Sequence, residues 1–74
     1  MQVKVRCFAT LRKYHLAQER VELNDGSTVA DLLGRAGIPP SEVAVALVDG
    51  RHVEWDRPLH DGETLALFPP IAGG

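Results

Sequence analysis

Residues 2–8 alternate between apolar and polar side chains, with Val3, Val5 and Cys7 on one side and Lys4, Arg6 and Phe8 on the other. A period of two marks a half-buried strand, so a strand is predicted here with its apolar side on the odd positions. Phe8 falls on the polar side, and a partly exposed ring is expected there. Thr10 to Leu16 predicts a short helix capped by Thr10. Residues 19–24 alternate again, with Val21 and Leu23 against Arg20 and Glu22, and Asn24-Asp25-Gly26 ends this second strand as a turn.

The pattern then changes period. Val29, Leu32, Leu33 and Ala36 recur at i, i+3, i+4 and i+7, one apolar stripe of an amphipathic helix. Ser27 or Thr28 precedes it as a cap, and Asp31 stands three residues after Thr28 as in a capping box. Gly37 suits the position after the helix, and Pro39-Pro40 forbids its continuation. Val43 to Val48 is an unbroken apolar run. It predicts a central strand covered on both sides or nearly so. Asp49-Gly50 is a hairpin signal, Arg51 to Glu54 a short return strand, and Asp61-Gly62 a further turn. Trp55 to His60 reads as an irregular loop pinned to the body by Trp55 and Leu59. The last strand is residues 64–68, with Leu65 and Leu67 on one face and Ala66 and Phe68 on the other.

The order strand, strand, helix, strand, short strand, strand carries one apolar helical stripe, so one helix must cover one face of a sheet. With the last strand parallel to the first, the result is an α+β fold: a β-grasp, ubiquitin-like mixed sheet packed on one main helix. Residues 1–68 form that domain. Residues 69–74 form an extended, flexible C-terminal functional tail.

Composition narrows the function. A chain of 74 residues with 45% hydrophobic content makes one small domain. A single cysteine, Cys7, allows no internal disulfide and is expected to be a small core residue. The lone thiol and the lack of a leader pattern fit a reducing cytoplasm. Eight basic and ten acidic residues are interspersed for a formal charge of −2, and only Phe8, Tyr14, Trp55 and Phe68 are aromatic. Neither feature points to nucleic acid. No apolar run reaches the roughly 20 residues of a membrane span. His15, His52 and His60 lack metal-ligand spacing, and no phosphate loop or nucleophile–base set is present, so neither a metal, a bound cofactor nor independent catalysis is expected.

The remaining chemistry lies in Pro69-Pro70-Ile71-Ala72-Gly73-Gly74. Two prolines end the strand and stiffen the stem that follows. Six extended residues reach about 20 Å, enough to enter a pocket on another protein. Gly73 and Gly74 have no side chains and suit a narrow channel. The α-carboxylate of Gly74, ionised above a pKa of roughly 3.5, can attack the α-phosphorus of ATP and become an activated acyl-adenylate. No base, metal or oxyanion donor is at hand in this chain, so a partner must supply them.

Val5-Arg6-Cys7-Phe8-Ala9-Thr10-Leu11-Arg12 resembles the opening of molybdopterin synthase small subunits, the MoaD-type sulfur carriers. Pro58 to Gly74, with Leu67-Phe68-Pro69-Pro70 ahead of Gly73-Gly74, resembles their C-terminal signature, and weaker similarity spans the rest of the chain. ThiS-type carriers share the fold and the Gly-Gly end but generally lack the Phe-Pro-Pro stem. The resemblance implies a cycle. A MoeB-type, E1-like enzyme adenylates Gly74 with ATP, a sulfurtransferase system replaces AMP to give a thiocarboxylate, and the tail enters a MoaE-type large subunit, in a heterotetramer, to donate sulfur. It also implies a partner surface of Phe8, Leu59 and Phe68, with Arg12 as a polar contact and Pro69, Pro70 and Ile71 as the stem. Asp49, where Asn is common, and the short segment after Gly37 depart from that family's pattern. A carrier of a thiamin or tungsten-cofactor pathway, a ubiquitin-like protein modifier, and a plain interaction module are the alternatives.

Overall fold

The first strand obeys its alternation. β1 (Gln2–Cys7) buries Val3, Val5 and Cys7 and exposes Gln2, Lys4 and Arg6. The computed structural model describes residues 1–14 and 19–70. Beyond β1 come a 3-10 turn (Ala9–Tyr14), β2 (Glu19–Glu22), α1 (Val29–Ala36), a second 3-10 turn (Pro40–Glu42), β3 (Val45–Val48), β4 (Arg51–His52) and β5 (Thr64–Phe68). The strands form one sheet in the order β2-β1-β5-β3-β4, with β1 and β5 parallel and the other pairs antiparallel. The mixed sheet, the long crossover through α1 and the parallel central pair are the β-grasp arrangement expected from the element order.

α1 starts where its cap dictates. Thr28 Oγ1 accepts from the Asp31 N–H at 3.2 Å, and Asp31 Oδ2 accepts from the Thr28 N–H at 2.9 Å, the reciprocal pair of a capping box. The two remaining donors of the first turn are met from outside. Val29 N–H donates to the Arg57 carbonyl and Ala30 N–H to the Trp55 carbonyl. The helix ends at Gly37, whose φ of 75° is open to glycine at no steric cost, and Ile38 N–H returns to the Leu33 carbonyl. Val29, Leu32 and Leu33 are fully buried against the sheet. Each such side chain contributes roughly 1.5–3 kcal/mol, ample to offset the ~1 kcal/mol lost at Gly34.

Two local expectations are corrected. The segment after β1 is a 3-10 turn that begins at Ala9, which takes a φ of 53°, so Thr10 lies inside the turn and caps nothing. His15 and Leu16, placed at the end of that helix, lie outside the described residues. The run Val43 to Val48 is covered on one side only. Val43, Ala46 and Val48 are buried, whereas Val45 and Leu47 on the opposite face are half-buried. Among the described residues α1 is the one α-helix, and it lies on the other side.

The Asp49-Gly50 hairpin takes positive φ at both residues (50° and 85°), the geometry of a type I′ turn. Asp61-Gly62 joins the loop back to the sheet, with Gln2 N–H donating to Asp61 Oδ1 and Gly62 N–H to the Gln2 carbonyl, both at 2.8 Å. Cys7 is buried in the core, where burial pushes its thiol pKa up and away from reactivity.

Candidate functional site

Two features of the sequence converge at one end of the sheet. β5 lies in the middle, bonded to β1 on one side and β3 on the other. Its last residue, Phe68, is held by its carbonyl accepting from Ala44 N–H at 2.8 Å. Pro69, which has no N–H to continue a ladder, follows at once, half-buried, and then Pro70, exposed. The stem of the tail is therefore rooted in the most constrained strand of the domain. Ile71, Ala72, Gly73 and Gly74, the tail proper, lie outside the described residues.

Beside that root sits an aromatic pair. Phe8 stacks on Phe68 with ring centroids 4.5 Å apart and planes 6° from parallel. The backbone arranges this: Phe8 N–H donates to the Leu67 carbonyl, and Ala9, in the left-handed region, turns the chain away immediately afterwards. The Arg6 guanidinium lies over the Phe8 ring, 5.6 Å from its centroid. Both rings are half-buried. The register places Val45 opposite Phe68, and Leu47 opposite Ala66, on the same outer face. Phe8, Phe68, Val45, Leu47 and Ala66 thus make one contiguous half-exposed apolar surface that reaches the root of the tail.

The structure sorts the residues named from the sequence. Phe8 and Phe68 are brought together, and Pro69 and Pro70 continue from Phe68. Arg12 is exposed on the 3-10 turn after Phe8 and forms no ion pair among the described residues. Leu59 does not belong to an exposed surface: it is 1% exposed within the core, and its N–H donates to the Ser27 carbonyl at 2.8 Å. Its other reading, as a pin for the loop, is the one the structure holds. Val45, Leu47 and Ala66 were not anticipated as site residues. The signal for the first two was present, because an apolar run facing a single helix must leave one side open.

The loop that precedes β5 is clamped rather than free. Glu63 accepts two hydrogen bonds from the Arg57 guanidinium, at 2.8 and 2.9 Å, and one from His60 N–H at 2.7 Å. The Arg57 bonds, with help from His60, hold the Glu63 carboxyl below the usual carboxylate range. At the other end of the molecule Glu42 accepts from Tyr14 at 2.6 Å and pairs with Lys13 at 2.9 Å, which ties the two 3-10 turns together. Among the described residues no three His, Cys, Asp or Glu side chains gather as metal ligands, and no helix is long and apolar enough to cross a membrane.

A β-grasp domain with a proline stem issuing from its central strand, beside an apolar outer face, defines a class of small carrier-like proteins. The chain belongs to the ThiS family, which it matches over residues 5–74. It is 36% identical to the molybdopterin synthase sulfur carrier subunit of Chlamydomonas reinhardtii, with 100% of each chain covered. Among solved structures it is similar to SAMP1 from Haloferax volcanii, with a TM-score of 0.76 and 26% identity over 100% of both chains. It is also similar to a chain in the protein–protein complex of subunits 1 and 2 of the molybdopterin-converting factor from Helicobacter pylori. There the TM-score is 0.64 and the identity 26%, again over 100% of both chains.

Proposed function

We propose that this chain is the sulfur carrier of molybdopterin synthesis, acting in the cytoplasm as the small subunit of molybdopterin synthase. One observation carries the reading. The central strand β5 ends at Phe68 and passes directly into Pro69-Pro70, beside an apolar face built around Phe8 and Phe68. A rigid root and an adjacent docking surface are what a delivered C-terminal group requires. The 36% identity to a named sulfur carrier subunit over the full chain supports the same reading.

The working group is the Gly74 carboxylate. As a carboxylate it is a poor electrophile. A MoeB-type, E1-like enzyme brings it to the α-phosphorus of ATP; one carboxylate oxygen forms the new P–O bond and pyrophosphate leaves. Persulfide sulfur from a sulfurtransferase system then attacks the acyl carbon and AMP departs; a thiol cleaves the resulting S–S bond, is itself oxidised to a disulfide, and releases the thiocarboxylate. The loaded tail enters the active site of a MoaE-type large subunit and gives its sulfur to the pterin precursor. The chain itself contributes position and grip. Phe8, Phe68, Val45 and Leu47 hold the partner while Pro69 and Pro70 aim the tail, and Gly73 and Gly74 admit it to a narrow channel.

Incubation with the cognate activating enzyme, ATP and a sulfur donor is expected to replace one oxygen of Gly74 by sulfur, read by intact mass. One residue appended after Gly74 is expected to abolish that exchange without altering the fold. Sulfur loading by the extended chain would contradict the assignment. Isopeptide conjugates to lysine without thiocarboxylate would make it a protein modifier instead.

A further inference from the structure

The outer face of the sheet is not uniform. Its apolar half lies at the tail end, whereas the half farther from Pro69 is basic. Lys4 of β1 stands directly opposite Arg20 of β2, Arg6 follows on the same side of β1, and these three with Thr64 line an open hollow of about 440 Å³. All three cations are exposed, and none forms an ion pair among the described residues. Two acids border that face: Glu22, opposite Gln2, and Asp61, which lines a neighbouring hollow with Lys4 and Arg20 but has one oxygen accepting from Gln2 N–H.

This arrangement goes against local physics. Like charges directly opposite each other in an antiparallel pair destabilise a sheet. It also goes against the balance of the chain, which is formally −2. A local rule broken in this way, on a face already open to a partner, calls for a counter-charge from outside the molecule.

We infer that Lys4 and Arg20, with Arg6 joining them to the Phe8 ring, form the electrostatic half of the docking face, and that Lys4 and Arg20 receive carboxylates of the large synthase subunit at the edge remote from the tail. The inference rests on the carrier function proposed above and deepens it. The stacked rings supply apolar contact next to the tail, and the cations fix which way round the partner sits. A partner docked with its acidic rim over Lys4 and Arg20 has the mouth of its tail channel at the Phe68 end. Reversed docking would set that rim on apolar surface and leave the cations unpaired.

The test is the affinity of the full chain for its cognate large subunit as salt is raised, for the wild type, Lys4→Glu and Arg20→Glu. Each single reversal is expected to weaken binding about tenfold near 0.05 M salt, and the difference is expected to shrink below about twofold near 0.5 M salt, as screening shortens the reach of charge. Each reversal also creates an opposite-charge pair across β1 and β2, so the melting temperature is expected to hold or rise by a few degrees. Equal affinity of wild type and both variants at low salt would overturn the inference and leave the carrier function standing. So would a loss of binding that salt does not relieve or that tracks a fall in melting temperature. A wild-type chain that fails to bind the large subunit at any salt would overturn the function and the inference together.

Discussion

On its inner face the sheet presents Val3, Val5, Cys7, Ala46, Val48, Leu65 and Leu67, none more than 3% exposed. On the outer face the same three strands and the residues that extend them present Lys4, Arg6, Phe8, Val45, Leu47, Ala66 and Phe68, none of them fully buried. Adjacent residues of one strand thus live in different surroundings, and the difference lies less in residue type than in whether a second layer exists. α1 covers one side. The other side keeps aliphatic and aromatic groups half in water, the kind of surface that the proposed partner would cover. A change on the inner face should therefore act through folding, and a change on the outer face through association.

The largest effect is expected from Leu65→Ala, which empties a fully buried site in a small domain. A loss of about 2–5 kcal/mol should appear in the denaturant midpoint, with partner binding lost only as far as the chain unfolds. Phe68→Ala sharpens the contrast from the other side of the same strand. Its stability cost should stay at about 1–2.5 kcal/mol, the stacked pair with Phe8 together with the half of the ring that is out of water. Its affinity for the large subunit, by titration calorimetry, should fall more than about tenfold, as for a central aromatic anchor. If Phe68→Ala unfolded the domain as Leu65→Ala does, the division between the faces would collapse.

The smallest effect belongs to a residue on neither face. Glu63 has a folded pKa held below its unfolded value of roughly 4.3 by Arg57 and His60. Its contribution is therefore present in full above that unfolded value and is lost as pH falls through the lower folded one. Between pH 5 and pH 3 the wild type should lose up to about 1 kcal/mol more stability than Glu63→Gln, measured by urea unfolding, since the pair is partly exposed. Partner affinity at neutral pH should not distinguish the two chains.

What was legible in the sequence was what depends on near neighbours. The Thr28–Asp31 box, the turn at Gly37, the Asp49-Gly50 hairpin and the odd-numbered apolar side of β1 are each set within a few residues, and each lies where the pattern puts it. Two of the displaced expectations turned on distant chain, and the third, at Thr10, on the backbone of its neighbour. Val45 and Leu47 were read as covered because an apolar run does not reveal how many layers the fold has to offer. Leu59 was assigned to the partner surface by position, but the loop 55–59 folds back to serve the first turn of α1, which carries its side chain into the core. Thr10 was read as a cap because its residue type suits one, while the backbone at Ala9 begins the turn one residue early. Phe8 could be suspected from its phase alone, but its ring-on-ring contact with Phe68 needed the parallel pairing of β1 with β5.

The carrier function proposed here requires that the outer side of the sheet meet the partner. Amide chemical-shift mapping of the labelled chain titrated with the large subunit measures this directly. The predicted result is a footprint on Phe8, Val45, Leu47, Ala66 and Phe68, extending to Lys4, Arg6 and Arg20, with the exposed side of α1 at Ala30, Asp31 and Arg35 unmoved. A footprint on Ala30, Asp31 and Arg35 that spared Phe8 and Phe68 would contradict it.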